Sequence, residues 1–258
     1  MRKRLVRTVT AVLLAGALAV PAGAGAASAA VRNPAPARPA DVTAVIAVIQ
    51  KIYSIYQQYF SGGSNGITLQ QATTEIINAI NSAQNAIISQ IDLVAAADVQ
   101  GCANATVIDY ADMPALTPTA LQTFAMNATS CATEADSLLN TVTDEGAIDK
   151  LGFAVNIEGP LAMIARAYAG LTTPGLRAVL IDAENADINR VITDANCTWY
   201  NDTVETMEVD CTAYNGDVGT AGRLYHGRPP GQELYNTAMT NAAVHTSRPI
   251  AVAALTQL

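Results

Sequence analysis

From Thr68 to about Asp98 the chain carries an apolar stripe of helical period that no glycine or proline interrupts. Ile80, Ile87 and Val94 fall seven apart, and Ile76, Ala83 and Ala97 take the companion heptad positions, with Gln90 as the one polar break. Ile77, Ile88 and Ile91 widen the stripe, and Thr68 followed by Gln71 is a capping-box start. At 1.5 Å per residue, about thirty residues make a rod on the order of 45 Å long. Such a rod cannot bury its stripe alone. The sequence therefore predicts a mostly α fold: a multi-helix bundle around one long central helix, placed here at 68–98, with a small disulfide-closed β-rich C-terminal appendage.

The partner helices are legible by their caps and stops. Asp41 opens a helix to about Phe60, with Val45, Ile49, Ile52, Tyr53 and Tyr56 on one face and Gly62-Gly63 as its stop. Its tyrosines read as core residues with wet hydroxyls. A loop with Asn65-Gly66 leads to the long helix. The pattern breaks near Gly101, resumes through Tyr110 and ends at Met113-Pro114; Thr117-Pro118 starts the next helix, to about Val142. Asp144, Glu145 and Asp149 put negative charge at the start of the following helix, as the macrodipole favours. That segment, to Leu171, is the most apolar of the body. Gly159-Pro160 predicts a kink or a break in it, and Glu158 and Arg166 argue for a buried helix over a bilayer span. Thr173-Pro174 starts a helix to about Ala195 whose Asp182, Glu184 and Asp187 read as a solvated acidic face without the EF-hand pattern.

At Cys197 the composition changes. Met207, Val209 and Cys211 alternate with Thr206, Glu208 and Asp210, which predicts paired strands over 197–214 with a turn at Asn215-Gly216. Residues 219–231, rich in Gly and Pro, read as loop, followed by one short helix and, after Pro249, an apolar tail. The domain layout is thus 1–30 signal peptide, 31–40 Pro-rich spacer, 41–196 helical bundle, and 197–258 loop-rich appendage with a short helix.

The first thirty residues carry Arg2, Lys3, Arg4 and Arg7, an apolar run from Thr8 to Val20, and a small-residue site near Ala29 or Ala30. This is the pattern of a cleaved secretory signal, so the mature protein is expected outside the cell, and the Ala-rich composition suggests a bacterial source. In an exported chain four cysteines read as two disulfides. Cys102 and Cys131 flank the 113–118 turn at similar distances and come level across a helical hairpin; Cys197 and Cys211 close the strands.

Beyond residue 30 ten basic residues face twenty-two acidic ones, −12. A chain this acidic has no electrostatic reason to bind nucleic acid. Charged residues are only 14% of the chain, so its surface relies on Asn, Gln, Ser and Thr. No Gly-x-Ser-x-Gly elbow, no His-Glu-x-x-His, no zinc-spaced cysteine pair and no phosphate loop occurs, so no catalytic residue, metal or cofactor is expected. His245 lies near the end of the last helix. Arg223, Tyr225, His226 and Arg228 form the one basic and aromatic cluster, a candidate contact for an anion or a partner. Four Asn-x-Thr sequons, at Asn104, Asn127, Asn196 and Asn201, read as products of an Asn/Thr-rich surface.

Three function classes fit. The first, by elimination, is a secreted non-enzymatic binding or assembly module with a protein or cell-envelope partner. The second is a membrane-active helical, pore-forming toxin that inserts 147–171. The third is an extracellular hydrolase using His226. Dye release from neutral liposomes marks the second class, and loss of hydrolysis on His226→Ala marks the third.

Overall fold

The computed structural model describes residues 39–61, 66–91, 93–94, 96–192, 195–201, 206–225 and 227–258. Residues 1–30, expected as a signal, residues 31–38 of the expected spacer, Gly62, Gly63, Asn65 and His226 lie outside the described residues.

Eight helices and one small sheet follow in chain order among the described residues. They are α1 (Pro39–Phe60), α2 (Leu69–Ile91), α3 (Ala97–Tyr110), a 3₁₀ turn (Met113–Ala115), α4 (Pro118–Thr141), α5 (Glu145–Tyr168) and α6 (Pro174–Arg190). Then come β1 (Asn196–Asn201), β2 (Thr206–Thr212), β3 (Val218–Leu224), α7 (Gln232–Ala242) and α8 (Arg248–Leu255). Caps form at Thr68, Thr117 and Asp144, whereas Thr173 makes no side-chain cap bond and α1 already begins at Pro39, two residues before Asp41. Thr68 N–H donates to Gln71 Oε1 at 2.8 Å while Gln71 N–H donates to Thr68 Oγ1 at 3.2 Å, a reciprocal capping box. Thr117 Oγ1 accepts from Ala120 N–H, and Asp144 Oδ1 from Ala147 N–H at 2.8 Å.

The bundle is mostly α and has a long central helix, but that helix is α5, not the stretch 68–98. α2 ends at Ile91. It bends at Ala83 (φ −134°, ψ 18°), and Leu93 and Val94 turn back onto the carbonyls of Gln90 and Ile91. Val94 is still buried, from a turn instead of a helix. α3 then starts at Ala97 and runs straight through Gly101, where the sequence reading had a break. α5 is buried from Leu151 to Ala165 without interruption, so apolar and small residues face neighbours on every side. It packs against α1, α2, α3, α4, α6 and α8.

Gly159-Pro160 does not break α5. Pro160 removes one N–H from the ladder, yet the helix continues to Tyr168. Gly159 serves packing: a Cβ there would stand 2.6 Å from Leu180 Cδ2 of α6. Gly152 makes similar room for Asp187, whose Cγ would lie 2.6 Å from its Cβ.

The sheet is antiparallel, in the order β1-β2-β3, with Cys197 opposite Cys211 in register and disulfide-bonded. Met207, Val209 and Cys211 point inward as their alternation requires. The region 219–231 is not all loop, because residues to Leu224 belong to β3. Its glycines misled the reading. Gly219 lets α7 lie against the strand, and an added Cβ would collide with Ala242 N and Ala238 O. Val209, Cys211, Ala213, Ala221, Ala238 and Ala242 form a separate small core. The tail after Pro249 is a helix, α8, whose Ile250 and Ala254, with Leu258, pack into the bundle core.

Two glycines allow an opposed test. Gly219→Ala should lower stability by about 1–3 kcal/mol, because backbone atoms cannot yield as a flexible side chain would. Gly101→Ala lies in a helix with open space around it and should raise stability by about 0.5–1 kcal/mol. Urea midpoints of the two variants check both signs.

Candidate functional site: a cleft above the Cys102–Cys131 disulfide

α3 and α4 are joined through the Met113–Ala115 turn, and the Pro118 start of α4 sends the chain back alongside α3. Cys102 and Cys131, 29 residues apart, meet across this pair as a disulfide. Closing a loop of that size contributes about 3–4 kcal/mol on the chain-entropy account.

Above the disulfide the two helices leave a cleft of about 690 Å³. Ala105, Leu116, Ala120, Phe124 and Ala128 give it apolar walls, and both cysteines contribute to its lining. Asp109 and Asp112 are the charged residues among those that line it, and both are exposed. Thr106, buried at the lining, donates its hydroxyl toward Cys131 Sγ at 3.9 Å. On the α5 side of the disulfide lies Glu158, with 0% exposure. One of its carboxyl oxygens and the two sulfurs lie within 4.8 Å of one another. Neither carboxyl oxygen has a hydrogen-bond partner among the described residues. Burial, reinforced by Glu134 of α4, pushes this carboxyl well above its ordinary range and so favours its neutral form.

A second set of buried carboxylates lies at the start of α5 and on α6. Glu184 and Asp187, expected on a solvated face, are both fully buried; only Asp182 of that trio is exposed. Tyr53 OH donates to Glu184 Oε1 at 3.0 Å, so this tyrosine's hydroxyl is not wet. Asp149, expected as a helix-start charge, is also buried. Its Oδ1 accepts from Ser247 N–H at 2.6 Å and its Oδ2 from Tyr214 OH at 2.5 Å, with Lys150 Nζ at 3.3 Å. Ser247 Oγ donates to Asp187 Oδ1 at 2.7 Å. Burial, then Glu184 and Asp149, push Asp187 well up, with the Ser247 hydrogen bond and Arg248 opposing. The arrangement is a clasp: it ties α5 and α6 to the β2–β3 turn and to the segment entering α8. Among the described residues the only group of three or more His, Cys, Asp or Glu ligand atoms near one another is Cys102, Cys131 and Glu158, and there the sulfurs are bonded to each other.

Three residues of the basic cluster, Arg223, Tyr225 and Arg228, are among the described residues. Arg223 is exposed on β3 and donates from Nη2 to Pro229 O at 3.3 Å, which folds the loop onto itself. Tyr225 is half-buried, Arg228 is exposed, and His226 lies outside the described residues. His245 Nδ1 pairs with Asp217 Oδ2 at 3.0 Å.

No protein-family model, curated protein or solved structure matches this chain. The chemistry of the cleft is therefore read from its own residues. The cleft escaped the sequence reading because it exists only once α3 and α4 are paired. Glu158 did leave a signal, as an ionisable residue inside the most apolar segment.

Glu184 gives a pH signature. Burial raises its pKa from 4.5 to about 8, with Tyr53 and Asn156 pulling it partly back. The folded state then holds a proton that the unfolded chain releases, so this group's contribution falls as pH rises from about 4.5 to 8 and levels off above. Urea unfolding across that range should show the decline, and Glu184→Gln should make it shallower.

Proposed function

We propose that this chain is an exported, non-enzymatic binding module whose ligand occupies the α3–α4 cleft. The observation that carries the reading is the cleft itself: about 690 Å³, in the range of small-molecule sites, apolar on both walls, with two carboxylates in its lining. That combination suits an apolar molecule bearing a positively charged amine, since Asp109 and Asp112 supply the complementary charge. The disulfide between the walls favours a preformed site, which reduces the ordering cost of binding.

Export rests on the signal-like residues 1–30 and fits the two disulfides. For the membrane-active reading, no helix among the described residues is long and apolar enough to cross a membrane. Its candidate segment also carries Asp149 and Glu158, buried inside the bundle.

Calorimetric titration with decylamine and with its neutral counterpart decanol tests the proposal. Decylamine should bind saturably at one site, and decanol should bind a few-fold to about tenfold more weakly. Ala120→Trp, which fills the cleft from its wall, should abolish both. If neither compound binds, or Ala120→Trp changes nothing, the cleft reading falls. Equal binding of the two compounds removes the role of Asp109 and Asp112.

A further inference from the structure

The Cys102–Cys131 disulfide has two unlike sides. One side is the cleft, whose lining includes both cysteines, and Cys102 is partly exposed. The other is the bundle interior, where Cys131 is 3% exposed and the Glu158 carboxyl waits with no partner of its own. We propose that Cys102–Cys131 is a redox-active disulfide, opened through the cleft by a dithiol, and that Glu158 is the buried acid that protonates the departing Cys131 sulfur.

Three observations converge on this assignment. First, a carboxyl buried without a hydrogen bond destabilises a core that an apolar side chain would fill. Glu158 sits at such a position, and its oxygen is within 4.8 Å of both sulfurs. Second, the sulfur that leaves is the buried one. A thiolate stranded in apolar surroundings is a poor leaving group, and a neutral acid beside it removes that obstacle. Thr106, whose hydroxyl already points at Cys131 Sγ from 3.9 Å, assists as a second donor. Third, the other disulfide lacks this arrangement. Cys197–Cys211 has no carboxyl grouped with its sulfurs among the described residues, and Cys211 Sγ lies 3.9 Å from Tyr235 O.

The groups bearing on Glu158 are few. α4 brings Glu134, a carboxylate that keeps the Glu158 proton on. α3 and α4 together bring the disulfide, and α3 brings the Thr106 hydroxyl. Among the described residues, no cation from α1, α2, α6 or α8 bears on its ionisation.

The chemistry balances. A thiolate of the dithiol attacks Cys102 Sγ, a mixed disulfide forms, the Cys102–Cys131 bond breaks, and its electron pair stays on Cys131 Sγ. The Glu158 proton moves to that sulfur. The second thiol of the dithiol releases its proton to water and attacks its own sulfur in the mixed disulfide. Cys102 leaves as a thiolate and takes a proton from water, as does the Glu158 carboxylate. The dithiol is oxidised to a disulfide and the protein is reduced to two thiols. Reoxidation runs the same path backwards, with Glu158 as base.

The inference does not rest on an amine ligand, and its test does not involve one. Dithiothreitol reduces the full chain, and alkylation with mass mapping follows each disulfide separately. Glu158→Gln keeps the volume and the neutral charge but has no acid proton. It should slow reduction of Cys102–Cys131 about tenfold or more and leave Cys197–Cys211 unchanged. In the unaltered protein the Cys102–Cys131 rate, divided by the thiolate fraction of the reagent, should fall as pH rises through the Glu158 titration. In the variant it should be low and flat. The unaltered protein's profile, set against that of Cys197–Cys211, stands as a test even if the variant fails to fold. Equal rates and profiles in the two proteins overturn the proposal. So does equal slowing at both disulfides, or a flat profile in the unaltered protein.

Discussion

A helix enclosed on every side cannot hand its polar groups to water, so each one that α5 carries must be answered by a neighbour. This condition shapes the molecule. Asp149 is answered by Ser247, Tyr214 and Lys150, which come from three different parts of the chain. Asn156 folds its amide back to Gly152 O at 2.9 Å. Arg166, where α5 emerges, reaches Thr172 O and Thr129 Oγ1. Glu158 is the exception, answered by no hydrogen bond, and it is the one placed beside a reactive group.

The close approach of α6 follows from the same helix. Glycines at 152 and 159 let Asp187 and Leu180 come against the α5 backbone, where any side chain would hold them off. Buried carboxyls on α6 are tolerable because α5 and its neighbours supply hydroxyl and amide donors, and because burial keeps them protonated over much of the pH range. Arg248 completes the end of α6 by donating to Ile188 O at 3.1 Å, a cation at a helix C-terminus. The C-terminal part of the chain therefore returns twice to the bundle, through Tyr214 and through the Ser247–Arg248 segment with α8.

Local signals in the sequence were faithful where the physics is local. The capping box at Thr68, the Thr117-Pro118 start, the Asn215-Gly216 turn with Gly216 at φ 87°, and the alternation of Met207, Val209 and Cys211 all depend on residues a few positions apart. Both cysteine pairings were legible because a helical hairpin and a strand pair each bring their cysteines level. What could not be read was decided by distant partners. The stripe at 68–98 looked central because it is long, but centrality belongs to the helix with no solvent face, and α5 shows that as the absence of any polar stripe. Glu184 and Asp187 looked solvated because their donors, Tyr53 and Ser247, lie 131 and 60 residues away. The glycines of β3 looked like loop because the helix that requires them follows them in sequence. The cleft had no sequence mark beyond its cysteines.

The in-register link between Cys197 and Cys211 has a consequence for how the chain searches for its fold. β1 is almost wholly exposed, so burial gives it little to distinguish one alignment from the next. A slip of one residue would turn β1's own side chains to the other face and carry Cys197 away from Cys211. With the two cysteines joined, an unfolded chain keeps the alignment of these strands as a covalent memory. When the chain collapses again, Met207 and Val209 are already committed to one side. The small core beneath α7 then has only to close over a surface whose orientation was never lost.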